Sequence, residues 1–220
     1  MHTQIPLDFV KKPSFGRSLF VRGESNSQVW TAIESWRNWQ TSILTIYGSK
    51  GTGKTHLAHI WCERTKAIYL DGEDTHHITP IWQNNAICLD NAAQAPEIIL
   101  FSLINMALNG DIPALLMCAQ DKPAFWPIEL SDLQSRLRSL PHVEILPHGD
   151  QMIGPILRKL FADRDRIIQT DMLDYIIPRI DRSPSGLIDF VEAIDLYARR
   201  KKIDLTRGHT IRFFQETAAN

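Results

Sequence analysis

Eight consecutive residues, Gly48-Ser49-Lys50-Gly51-Thr52-Gly53-Lys54-Thr55, fill every position of the pattern GxxxxGK[ST], and they constrain the fold of this chain more than any other feature. The run before them, Ser42 to Tyr47, is apolar and β-branched, as a buried strand requires. The run after them, Thr55 to Arg64, has no Gly or Pro and sets Leu57, Ala58 and Trp61 at helical spacing. Strand, glycine loop and helix in that order give the pattern a mechanism. Gly51 and Gly53 let backbone N–H groups curl around a phosphate with no Cβ in the way. The helix N-terminus adds a positive dipole end. Lys54 reaches the β/γ-phosphates, and the Thr55 hydroxyl is a ligand for Mg²⁺. With His56 in the first helical turn, these residues form the candidate nucleotide-binding set, and the expected ligand is ATP or ADP.

The totals narrow the partners. The chain has 220 residues, with 24 Lys+Arg against 25 Asp+Glu and a net charge of −1. That balance carries no electrostatic footprint of a sequence-independent nucleic-acid binder. The N-terminus shows no basic, then apolar, export leader. The most apolar stretch, Ile98 to Leu108, holds Ser102 and Asn105 and is too short to span a bilayer. Cys62, Cys88 and Cys118 are odd in number and scattered, with no CxxC, so free thiols in a reducing cytoplasm are expected. His56 and His59 share a helix face, but no further ligand completes a zinc pattern.

The expected fold is α/β. Strands are read near 42–47, 67–71, 86–90, 113–118 and 142–146. Helices are read from Asn26 or Ser27, as cap, to Trp39, at 96–109 and at 131–139. Strands alternating with helices predict a parallel sheet flanked by helices. From Asp150 the pattern is purely helical, at about 150–163, 170–179, 185–201 and 207–217. Pro147 and Gly149 mark the change. The expected organisation is a tail over 1–19, a nucleotide-binding α/β domain over 20–148 and a small all-α lid over 149–220.

Three charged residues outside the loop are candidates for chemistry. Asp90 ends the apolar run Ala86-Ile-Cys-Leu-Asp90, where a phosphate-loop protein brings a carboxylate to Mg²⁺; an ordinary strand-end acid is the alternative. Asp121 follows the strand ending at Cys118 and either senses the γ-phosphate side or forms the turn before Lys122-Pro123. Arg136, in Asp132-Leu-Gln-Ser-Arg136-Leu, is either a solvated helix residue or an arginine finger offered to a phosphate on a neighbouring subunit. Arg199 to Lys202 closes a predicted helix, where cations complement the dipole; a DNA-binding patch is the alternative.

Taken together these segments resemble the AAA+ ATPases, and within them the branch that contains the replication initiator DnaA and its shorter Hda-type relatives. Phe20-Val21-Arg-Gly-Glu-Ser-Asn26 is similar to that branch's FVxGxSN segment, which packs near adenine. Ser49 and Lys50 complete a loop similar to Walker A, ICLDN is similar to Walker B, and DLQSRL is similar to the motif that carries the arginine finger. The resemblance implies an AAA+ core with an α-helical lid, bound adenine nucleotide and Arg136 acting in trans on DnaA. It adds Phe20 and Val21 to the nucleotide site. Gln4, Leu7 and Phe9, in Gln4-Ile-Pro-Leu-Asp-Phe9, resemble a peptide that docks on the sliding clamp of DNA polymerase III. The end at Asn220 matches the shorter relatives, with no helix-turn-helix domain to read DNA, and self-association is a further expectation. Two positions depart from the pattern. Asn91 stands where many such ATPases carry an acid, so slow self-catalysed hydrolysis is expected. Ser185 stands where the lid usually offers an Arg to the phosphates, with Arg182 three residues earlier. A self-sufficient ATPase such as a helicase loader, and an adaptor with purely structural nucleotide, are the rival readings.

Overall fold

A computed structural model describes Arg17 and residues 20–218. Five strands, β1 (Ile43–Tyr47), β2 (Ile68–Asp71), β3 (Ile87–Asp90), β4 (Leu115–Ala119) and β5 (His142–Glu144), form one sheet in the order β2-β3-β4-β1-β5. Every pairing is parallel. A parallel sheet must be covered on both faces, which is why β1, β3 and β4 read as continuous apolar runs rather than alternating ones.

The strands nevertheless sort their side chains by parity. Ile43, Ile87, Leu89, Leu115 and Met117 face one core, with Ile99, Leu100, Leu103 and Ile104 of α3 (Glu97–Asn109) and Leu133 and Leu137 of α4 (Ser131–Ser139). Leu44, Ile46, Cys88, Leu116 and Cys118 face the other, with Val29 and Ile33 of α1 (Glu24–Glu34) and Leu57, Ala58 and Trp61 of α2 (Lys54–Thr65). The connection from β2 to β3 carries no α-helix, only a 3₁₀ turn at Pro80–Trp82 pinned by buried Trp82.

The last four helices share a third core. These are α5 (Asp150–Ala162), α6 (Thr170–Ile176), α7 (Pro184–Lys201) and α8 (Arg207–Ala218), and Leu157, Phe161, Ile176, Leu187 and Val191 are wholly buried among them, each at 1% exposure or less. Ser183 caps α7 by accepting the Gly186 N–H at 3.1 Å, and Pro184 sits at the first helical position, where its missing donor costs nothing. Arg199 and Lys201 at the other end pair with Asp195 and Glu216. No described helix is long and apolar enough to cross a membrane.

Two expectations need correction. Asn26 does not cap α1, which starts earlier, at Glu24. Asn26 is buried in the first turn, where its Oδ1 accepts the Gly23 N–H at 3.1 Å and its Nδ2 donates to Val21 O at 2.9 Å. The helix also stops at Glu34. Trp36 and Trp39 lie in and after a separate 3₁₀ turn and pack around Trp61, with ring centroids 6.2 and 5.8 Å away. The three cysteines, distant in sequence, converge: burial with Cys118 and Cys62 beside it pushes the Cys88 thiol well above its ordinary range.

Candidate functional site

The glycine loop joins the C-terminal end of β1 to the first turn of α2, at the sheet edge where β3 and β4 also end. This is the crevice in which open parallel sheets bind ligands. Gly51 and Gly53 hold φ of +85° and +101°, conformations that favour glycine. A Cβ on Gly51 would lie 2.6 Å from the Pro184 carbonyl, and one on Gly53 would lie 3.1 Å from the Phe20 ring. The loop is therefore closed in by the start of α7 on one side and by Phe20 on another. His148, on the segment leading into α5, brings Nε2 to 3.4 Å from Gly51 O, and burial lowers its pKa.

Gly53 caps α2. The N–H groups of Gly51, Gly53, Lys54 and Thr55 find no acceptor among the described residues. Convergent free donors at a helix start, backed by glycines, fit an anionic phosphate. Lys54 Nζ donates to Gly48 O at 2.6 Å and Ser49 O at 2.9 Å. Desolvation lowers its pKa, while Cys118, Asp90 and Asp121 act to raise it. Thr52 turns away, its hydroxyl donating to Ser49 O at 2.9 Å. Ser49 and Lys50 lie within the loop, and Thr55 is exposed at the helix start.

Phe20 reaches the site from outside the sheet. Its ring stacks on Trp30 at 5.5 Å and meets the His56 ring edge-on at 5.2 Å. Val21 follows it, anchored through Asn26. Asp90 is 2% exposed, with Oδ2 accepting the Tyr69 hydroxyl at 3.0 Å and Oδ1 accepting the Asn91 N–H at 3.0 Å. Carboxylate and hydroxyl oxygens from Asp90 and Thr55 are hard donors that suit Mg²⁺, which keeps several of its own waters. The Asn91 amide donates to both Asp71 carboxylate oxygens at 3.2 Å. Asp121 is exposed, and its carbonyl accepts Trp126 Nε1 at 2.8 Å.

Arg136 is built differently. Its Nε pairs with Asp132 at 3.1 Å, one helical turn back, and its guanidinium lies 5.4 Å from the Phe101 ring centroid on α3. None of these contacts belongs to the glycine loop. Ser185 Oγ lies 3.4 Å from Ser183 Oγ, and Arg182 pairs with Asp150 at 3.3 Å. Gln4, Leu7 and Phe9 lie outside the described residues. A separate groove of about 350 Å³ between α1 and α2, lined by Trp30, Ile33, Ile60 and Trp61, shares no residue with the loop. Among the described residues no group of three or more His, Cys, Asp and Glu is arranged to hold a metal. His59 stacks on Tyr69 at 4.4 Å.

No protein-family profile matches the chain. A relative from Haemophilus influenzae, described as an uncharacterized protein, is 24% identical and aligns with 73% of this chain and 76% of its own length. Among solved structures, domain III of the Thermotoga maritima replication initiation protein DnaA superposes with a TM-score of 0.74 at 16% identity, covering 93% of this chain and 97% of that one. AMPPCP-bound DnaA from Aquifex aeolicus gives 0.69 at 17% identity over 96% of this chain and 71% of its own. The Thermotoga maritima RuvB Holliday junction branch migration motor gives 0.62 at 17% identity, covering 88% and 69%. The fold is that of DnaA-like AAA+ domains.

Proposed function

We propose that this chain is an Hda-like regulator of replication initiation. It binds ADP or ATP with Mg²⁺ at Gly48 to His56, beside Phe20 and Val21, and presents Arg136 to ATP held by DnaA. The observation that carries the reading is the separation of Arg136 from the loop: its partners are Asp132 and Phe101, on α4 and α3. An arginine that touches nothing of its own phosphate site is available to another one. The AMPPCP carried by one DnaA neighbour supports an adenine nucleotide here.

Within that reading the roles divide by chemistry. The free N–H groups of Gly51, Gly53, Lys54 and Thr55 and the Lys54 ammonium hold the phosphates. Asp90 and Thr55 would hold Mg²⁺, which neutralises phosphate charge when bound. The charge of Asp121 acts on Lys54. Asn91 carries an amide, which takes no proton from water, and it is tied to Asp71. Self-catalysed hydrolysis is therefore slow, which favours action in trans over a self-sufficient ATPase. Gln4, Leu7 and Phe9 dock the protein on the DNA polymerase III sliding clamp, the chain works in the cytoplasm, and residues 149–220 act as a helical lid over the nucleotide domain of 20–148.

The test is reconstitution. Hydrolysis of DnaA-bound ATP should accelerate only when this protein and clamp-loaded DNA are both added. No acceleration with both present rejects the regulator reading. The tail is tested separately by changing Leu7 and Phe9 to Ala. Each removes an anchor worth about 1.5–3 kcal/mol if fully buried in the complex, so clamp binding should be largely lost, and unchanged affinity rejects the docking role.

A further inference from the structure

Asp90 is held by a residue that no nucleotide motif contains. On β2, Tyr69 sits in register with Cys88 of β3, so Asp90 lies two residues further along and on the same face of the sheet. That face is the one covered by α2, which starts with Lys54 and Thr55. The Tyr69 hydroxyl donates to Asp90 Oδ2 at 3.0 Å, and its ring stacks on His59 of α2, with centroids 4.4 Å apart and planes 12° apart. A carboxylate oxygen only accepts, so the Tyr69 hydroxyl is the donor in this bond. Three elements thus converge on one carboxylate: α2 fixes the ring, β2 supplies the hydroxyl, and β3 carries the acid.

A buried carboxylate with one anchored oxygen cannot rotate freely. Oδ2 spends one lone pair on Tyr69, and Oδ1 spends one on the Asn91 N–H. Each oxygen keeps a second lone pair, and the anchored geometry decides where these point. Asp90 ends β3 at the sheet edge where β1 runs into the phosphate loop, and its charge acts on Lys54. We propose that Tyr69 is a positioning residue for Asp90: its hydroxyl fixes the carboxylate that, with Thr55, would hold the divalent cation accompanying a nucleotide. This rests on the nucleotide reading of the loop. It predicts a role confined to metal-assisted binding. A Tyr69 that merely satisfies a buried acid would instead affect stability and all nucleotide binding alike.

The experiment measures ADP affinity by calorimetry in Mg²⁺ and in EDTA, for the wild type and for Tyr69→Phe, which keeps the ring and its stack on His59. Partners that orient metal ligands typically contribute 10–100-fold to metal affinity. The expected result is that Mg²⁺ strengthens ADP binding in the wild type and that this enhancement falls at least about tenfold in Tyr69→Phe, the low end of that range, while affinity in EDTA stays within about twofold. Titration of Mn²⁺ into the ADP complex, followed by electron paramagnetic resonance, should show the same weakening without reference to any activity. An enhancement that survives in Tyr69→Phe overturns the proposal and leaves the nucleotide site standing. So does equal loss in Mg²⁺ and EDTA, which marks a structural role, or a wild type indifferent to Mg²⁺. A wild type that binds no ADP overturns the nucleotide reading and this proposal together. If Tyr69→Phe lowers thermal stability, His59→Leu is the second variant: it keeps the hydroxyl, and a wild-type enhancement there together with a loss in Tyr69→Phe assigns the effect to the hydrogen bond.

Discussion

The glycine loop and the Arg136 helix are both candidate phosphate contacts, yet they are constructed in opposite ways. The loop is backbone held by backbone: glycines at left-handed φ, Pro184 of α7 against Gly51, and Phe20 against Gly53. Lys54 is largely desolvated and tied to two loop carbonyls. Arg136 stands on a nine-residue surface helix, anchored by one exposed ion pair and one ring. A site that encloses its ligand needs contributions from several elements, whereas a group offered to another molecule needs only one helix and room in front of it. On the proposed function, the loop retains the ligand and Arg136 is the group presented to a partner.

The largest effect expected is on Arg136. Arg136→Ala should abolish stimulation of ATP hydrolysis on the partner, a loss of about 10³–10⁵ in rate for a removed finger, with folding intact. Lys at the same place should rescue poorly, because an ammonium lacks the planar fork. Retained stimulation in Arg136→Ala breaks the comparison at once. Next comes Gly51→Val. A β-branched residue at φ +85°, with its Cβ 2.6 Å from the Pro184 carbonyl, should cost at least about 2 kcal/mol, read as a lower denaturation midpoint, and should weaken nucleotide binding as well. If stability is unchanged, α7 does not close on the loop as described.

Smaller effects sharpen the contrast. Asp132→Asn removes an exposed pair one turn apart, of a type worth about 0.3–0.5 kcal/mol, so stability should barely move, while stimulation of the partner falls if the pair orients Arg136. Unchanged stimulation would make the pair incidental. The smallest effect concerns pH. Burial lowers the His148 pKa, so the folded state prefers the neutral ring. The unfolded chain, titrating near the ordinary value of about 6.5, then takes up protons first as the pH falls. Stability from this group is therefore fully present above pH about 6.5 and declines as the pH drops toward the folded value. His148→Gln should flatten part of the fall in melting temperature between pH about 7 and 5, and an identical slope in the variant would show that the ring is not held neutral.

The sequence carried most of the architecture because continuous apolar runs, the glycine loop and Ser183-Pro184 are local signals. Ser131–Ser139 of α4 was legible to the residue, and the strands to within two or so. What stayed hidden depends on pairing across elements. The contact of Tyr69 with Asp90 exists only because β2 lies beside β3 in one particular register. The gathering of Cys62, Cys88 and Cys118 likewise needs α2 laid over β3 and β4, although the matching parity of Cys88 and Cys118 was a usable hint. Asn91 was noticed for what it lacks, but its bond to Asp71 follows from strand order that one sequence does not reveal. At the start of α1, Asn26 has the residue type of a cap, but its side chain is buried inside the first turn and bonds the Gly23 and Val21 backbone.

On the proposed function, this chain holds a nucleotide in its own loop and keeps Arg136 for another. Calorimetric titration with ADP of the wild type, Lys54→Ala and Arg136→Ala tests it most directly. Equal affinity is expected for the wild type and Arg136→Ala, and a loss of at least about tenfold, or about 1.4 kcal/mol, for Lys54→Ala. An Arg136→Ala variant that loses affinity as Lys54→Ala does, or a Lys54→Ala variant that binds as the wild type does, would contradict it.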